Sequence, residues 1–271
     1  SEDGLTWTAN ANIHWSTNTY LTAESKYLLL AGGSGDASLN AQDNLTTKQY
    51  GINKNRILGG DIFRSVAAKP KDENGDIYMF TVGLNRQYYV KMTPGESECS
   101  WKTVNSNEGD AIPRDVKDMI YAKGAKQFLA VVDSGKLYAA KDAQNFGLFD
   151  VKDGATVTGI AASDSVIVAG LSDGSMYYTN NAEITSATEW TEIPAEEGKT
   201  AAAEPIKNIE FADDGQSFVA LGEKNIYKGS IDGYCNISEY IPRYLTVSDA
   251  SVKPTYDTNP FKGVKLIGGT Y

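Results

Sequence analysis

Leu129-Ala130-Val131-Val132-Asp133-Ser134-Gly135-Lys136-Leu137-Tyr138 lies over Val168-Ala169-Gly170-Leu171-Ser172-Asp173-Gly174-Ser175-Met176-Tyr177 without a gap, at an offset of 39 positions. Each copy reads as a strand, a tight turn and a second strand that reaches Tyr. Asp-Ser-Gly and Asp-Gly at the centre supply the positive φ angles that short hairpins need. The frame extends upstream to residues 80–89, where Tyr89 takes the place of Tyr138, and downstream to residues 219–227, where one deletion brings in Tyr227. Self-similarity at such a period marks a repeat architecture.

Working outward, an aromatic follows each Tyr at nearly constant distance: Trp101, Phe149, Trp190 and Tyr240 lie 12, 11, 13 and 13 positions on. Apolar residues after three of these aromatics, as in Trp190-Thr191-Glu192-Ile193, read as a further short strand. Ahead of each hairpin stands another apolar segment, at residues 63–67, 119–121, 159–162 and 209–211. Four short strands per repeat without helical periodicity are the blade of a β-propeller. The expectation is an all-β single domain over residues 1–271, with about six four-stranded antiparallel blades. Val264-Lys265-Leu266-Ile267-Gly268-Gly269 resembles Leu28-Leu29-Leu30-Ala31-Gly32-Gly33, so the two termini are expected to share one blade and close the ring. Residues 34–56 repeat least and read as a polar insertion.

The chain carries a formal net charge of −10, and its densest basic stretch, Lys69 to Lys71, is broken by Pro70. A phosphate backbone would be repelled, so nucleic acid is not an expected partner. No apolar run approaches the ~20 residues that span a bilayer, so no transmembrane segment is expected. His14 is the sole histidine, and the two cysteines, Cys99 and Cys235, lack Cys-x-x-Cys spacing. Finger-type zinc ligation is therefore excluded, histidine-based triads have one candidate base, and the thiols are expected to stay unpaired. Asp72-Glu73-Asn74-Gly75-Asp76 reads as a hairpin turn, since no Glu completes a calcium loop. Ala31-Gly32-Gly33-Ser34-Gly35 lacks the Lys and Ser/Thr of a phosphate loop. No cofactor and no metal are expected.

Ser1-Glu2-Asp3-Gly4-Leu5-Thr6-Trp7 resembles the Asp-box turn of sialidase-like and photosystem-assembly-like propellers, one residue short between Asp and Gly. Residues 93–101 carry a degenerate echo. The resemblance extends to secreted propeller proteins of Bacteroidetes. It implies a fold brace at Asp3 and Trp7, an extracytoplasmic location in the periplasm or at the cell surface, and any lipid anchor on a segment outside this chain. Sialidase activity is not implied: Phe63-Arg64-Ser65-Val66 lacks the Ile-Pro of the family's arginine motif.

Carboxylate pairs suited to glycoside hydrolysis are inevitable among 35 Asp and Glu residues and carry no information. Sixteen Tyr and four Trp, amid many Asn, Ser and Thr, match the palette of surfaces that bind sugars or extended peptides. Tyr20, Tyr50, Tyr244 and Tyr256 fall outside the repeat frame. Ile112-Pro113-Arg114 and Ile241-Pro242-Arg243-Tyr244 precede blades, and proline fixes the approach of each arginine. Arg64, Arg114, Arg243 and Tyr244 are therefore the candidate ligand-binding residues. The expected function is a monomeric, non-catalytic envelope module for glycan or protein. A scaffold domain of a larger secreted protein is the alternative, and a glycoside hydrolase-type enzyme the second.

Overall fold

The computed structural model describes strand segments between residues 19 and 103 and, with side chains, residues 116–141, 146–180 and 182–237 together with Ala67, Ala68 and Lys69. Five four-stranded sheets follow one another along the chain. The first holds β1 (Thr19–Glu24), β2 (Tyr27–Gly32), β3 (Ser38–Asp43) and β4 (Gln49–Tyr50). The second holds β5 (Phe63–Lys69), β6 (Ile77–Gly83), β7 (Gln87–Met92) and β8 (Lys102–Thr103). The third holds β9 (Val116–Ala122), β10 (Gln127–Val132), β11 (Leu137–Ala140) and β12 (Gly147–Phe149). The fourth holds β13 (Val157–Ala162), β14 (Val166–Leu171), β15 (Met176–Asn180) and β16 (Thr191–Ile193). The fifth holds β17 (Asn208–Phe211), β18 (Phe218–Leu221), β19 (Ile226–Ser230) and β20 (Gly233–Asn236).

Every pairing inside these sheets is antiparallel between consecutive strands, as in the third, where β9 pairs β10, β10 pairs β11 and β11 pairs β12. The first strands neighbour one another in succession, β1 with β5, β5 with β9, β9 with β13 and β13 with β17. Meanders whose first strands gather in sequence order are the blades of a β-propeller, and that is the fold. The strands expected to close the ring, around residues 5–8 and 264–269, lie outside the described residues.

Packing explains the apolar second strands. All of β10 and all of β14 are buried. Phe128, Ala130 and Val132 join a cluster with Ala67 of the second sheet, while Leu129 and Val131 join one with Ile167, Ala169 and Leu171 of the fourth. Val168 turns the other way, towards Ile209, Phe218 and Ala220 of the fifth. A strand covered on both faces loses polar alternation and reads as a continuous apolar run. Leu129, Leu137, Ile160, Ile167 and Leu171 are fully buried, and each such side chain stabilises by about 1.5–3 kcal/mol.

The repeat frame holds in register. Tyr138 pairs Ala130 and Tyr177 pairs Ala169, equivalent positions one repeat apart. Gly135 and Gly174 have φ of 77° and 94°, the left-handed conformation that the closing residue of a three-residue hairpin adopts.

Three expectations need correction. In the second sheet the partner of Thr81 is Tyr88, with Tyr89 one place beyond, because that hairpin is one residue shorter. The fourth strand of the fifth sheet is Gly233–Asn236 rather than a segment after Tyr240, since a tight turn through Asp232 brings the chain straight back. Within residues 34–56, read as a polar insertion, β3 and β4 complete the first sheet. Ser-Leu-Asn-Ala-Gln-Asp alternates with a period of two, a strand signal that its polar composition disguised.

Candidate functional site

The turns between second and third strands emerge on the same face as the linkers between sheets, and the linkers fasten onto those turns. Val157 N–H donates to Gly135 O at 2.9 Å, Ile206 N–H to Leu171 O at 3.2 Å and Lys207 N–H to Leu221 O at 2.7 Å. Thr158, nearly buried, places Oγ1 2.7 Å from Ile206 O and 3.2 Å from Gly170 O, so its one proton goes to the nearer carbonyl. The second glycine role sits here: a Cβ on Gly174 would stand 2.5 Å from Ala202 O, and one on Gly222 2.5 Å from Glu204 Oε1. Both turns lie directly under the linker.

That linker, residues 194–207, builds a pocket on this face. The pocket has a volume of about 560 Å³, walled by residues 198–201 and 203–205 on one side and by Glu223, Lys224, Asn225, Tyr227 and Asn236 on the other. Glu204 staples the two walls together. Its carboxylate accepts from Lys224 N–H at 2.6 Å, Asn225 N–H at 3.1 Å, Asn225 Nδ2 at 2.7 Å and the Tyr227 hydroxyl at 2.9 Å. Burial pushes this carboxyl up, but the donors from Asn225, Tyr227 and Lys224 outweigh it and hold the group below the usual carboxylate range. Tyr227 answers in the opposite sense: burial, then its bond to Glu204, push its hydroxyl up to about 12. Further back, Ala202 N–H donates to the Tyr234 hydroxyl at 2.7 Å, and Glu196 N–H to Tyr234 O at 2.8 Å. The pocket wall is thus held in place before any ligand arrives.

Two further carboxylates differ from Glu204. Asp118 on β9 and Glu210 on β17 stand on first strands, and the charge of Asp118 reaches Glu210. Burial pushes Asp118 up, against the pull of the Met119 and Ile160 N–H groups and of Lys117. Glu210 is exposed at its surface, yet the atoms crowded around its carboxyl, and then the Asp118 charge, push it up. On the opposite face, Gln127 clamps the loop between β15 and β16. Its Nε2 donates to Ile184 O at 3.2 Å and its Oε1 accepts Ile184 N–H at 2.7 Å, beside a Lys141–Glu183 ion pair at 2.7 Å. Cys235 is a buried free thiol, and Cys99, the other cysteine, lies outside the described residues.

Of the residues singled out in the sequence, Arg64 lies on β5, with its side chain outside the described residues. Arg114, Arg243 and Tyr244 lie outside them altogether. Glu204 and Asn225 carry no sequence signal, because the contacts that define them join segments some twenty residues apart. The nearest hint is Pro205, which follows Glu204 ahead of a first strand much as Pro113 and Pro242 precede theirs in the expected frame.

No family model matches the chain, and no curated protein matches it. Among solved structures it is similar to the Cps50 (Swd1) β-propeller domain of Myceliophteria thermophila, at TM-score 0.49 and 11% identity, covering 78% of this chain and 67% of that one. It is also similar to Raptor of Chaetomium thermophilum, at TM-score 0.54 and 10% identity, covering 81% of this chain and 21% of that one. The chain therefore spans about a fifth of the Raptor chain. Identity this low bears on the fold alone, and the fold that the sheets define is the β-propeller.

Proposed function

We propose that this chain is a non-catalytic binding module whose ligand meets the face of linkers and turns. In coarser form it is a protein-interaction or scaffold domain; in finer form it works outside the cytoplasm, at the cell envelope, on a glycan or a protein segment. The pocket around Glu204 carries the reading. It is preformed and of a volume usual for small-ligand sites, about 300–1,000 Å³. Its central carboxylate is saturated by four donors and held ionised. Such a group shapes a cavity but is a poor proton donor, whereas a general acid needs a raised pKa. The envelope location rests on the Asp-box resemblance of residues 1–7. Arg64, Arg114, Arg243 and Tyr244 remain proposed extensions of the same surface.

The raised carboxyls of Asp118 and Glu210 favour a second reading, a hydrolase working at the first strands. One experiment separates the two. The protein is incubated with glycan and peptide panels, and both retention and product formation are followed. The module reading expects retention without turnover, with amide-exchange protection of residues 194–207. Product formation abolished by Asp118→Asn and Glu210→Gln would replace it with the hydrolase.

A further inference from the structure

We infer that the pocket between residues 198–205 and 223–236 binds a neutral oligosaccharide, gripped through its hydroxyl edges rather than stacked on a ring. The inference deepens the binding-module reading and rests on it.

Charge is the first argument. The walls carry Lys199 and Lys224 against Glu204 and Glu223, so the lining as a whole has no net sign. Glu223 is itself engaged by Lys207 at 3.3 Å, and Glu204 is consumed by its four donors. A pocket built for a strongly charged ligand concentrates one sign, as arginine clusters do for phosphate.

The second argument is the balance of donors and acceptors. With the Asn225 Nδ2 already given to Glu204, the walls still offer the Lys224 ammonium, the Thr200 hydroxyl, the Asn225 side-chain oxygen and the backbone of a linker without regular secondary structure. Sugar hydroxyls donate and accept at once, and such a mixed lining satisfies both. An extended peptide would instead need side-chain anchors in apolar subpockets. The pocket's one aromatic, Tyr227, is buried and offers no open ring face.

Preorganisation is the third. Glu204, Tyr234 and Gly222 lock the linker over the β18–β19 turn, so binding would not have to order it.

The test uses the full chain and three probe sets: neutral oligosaccharides, uronic-acid oligosaccharides and short peptides, each titrated calorimetrically at low and high salt. Neutral oligosaccharides should bind with little salt dependence. Thr200→Trp, which fills the pocket from an exposed position, should weaken binding at least about tenfold while the melting temperature holds; Ala201→Tyr repeats the block should the first variant misfold. Lys224→Gln should change affinity less than threefold, on the order expected of a rim group. Binding confined to acidic sugars or to peptides, still blocked by Thr200→Trp, would overturn the ligand class and leave the module standing. Binding of any probe that both pocket variants leave intact would overturn this site, and retention of no probe would remove the module reading as well.

Discussion

Glu204 shows how much one side chain can decide. Its carboxylate takes the N–H groups of a hairpin turn on the next sheet, plus an amide and a hydroxyl, and so fixes the linker that walls the pocket. Glu204→Gln keeps an acceptor but removes the charge, and is expected to cost about 1–2 kcal/mol, discounted for its partial exposure. Urea unfolding would measure it. Because its folded pKa is depressed, the stability it adds is present above the ordinary carboxylate value and fades as pH falls through the folded one. Glu210 has the opposite sign. Its folded pKa is raised, so its contribution is greatest in acid and is lost as pH rises through that raised value. Glu210→Gln should therefore raise the urea midpoint at neutral pH and leave it unchanged in strong acid. A variant less stable than wild type at neutral pH would show that Glu210 makes a favourable contact that the charge balance omits.

Elements are joined here by backbone as much as by apolar side chains. The linkers cross the hairpin turns so closely that Gly174 serves twice, once for its φ of 94° and once because a Cβ would collide with Ala202 O. Gly174→Ala is expected to destabilise by about 1–3 kcal/mol or more. Gly135→Ala, in the equivalent turn, should behave alike, and thermal melts of the pair would check the equivalence. On the opposite face, Gln127→Leu strands the N–H and carbonyl of Ile184 and should cost about 1–3 kcal/mol. Its signature would be faster amide exchange at Ile184 with little change around Gly174.

At the scale of the molecule, adjacent sheets from the second to the fifth share cores among the described residues, so these sheets depend on their neighbours. Leu129→Ala, at the junction of the third and fourth sheets, should cost about 2–5 kcal/mol and shift a single transition rather than split it. Ring closure belongs to this scale. If the termini share a blade, removal of residues 261–271 should broaden unfolding and expose the first sheet to proteolysis before the fourth. Retention of a sharp, unchanged transition would reject the shared blade.

The repeat was legible because it is a matter of local chemistry. Hairpin turns need Asp and Gly, doubly covered strands need unbroken apolar runs, and both recur at Val131–Leu137 and Gly170–Met176 with the same spacing. The fourth strands were less legible: at two or three residues, β8, β12 and β16 are too short for a period to show, and polar β3 passed for an insertion. Nothing in the sequence pointed to Glu204, Gln127 or the raised carboxyls of Asp118 and Glu210. Their partners lie on other sheets, up to 57 positions away for Gln127 and Ile184. Propensity and periodicity act between near neighbours along the chain. Which carboxylate is saturated, and which is desolvated, depends on what the folded neighbours bring to it, and only the tertiary structure decides that.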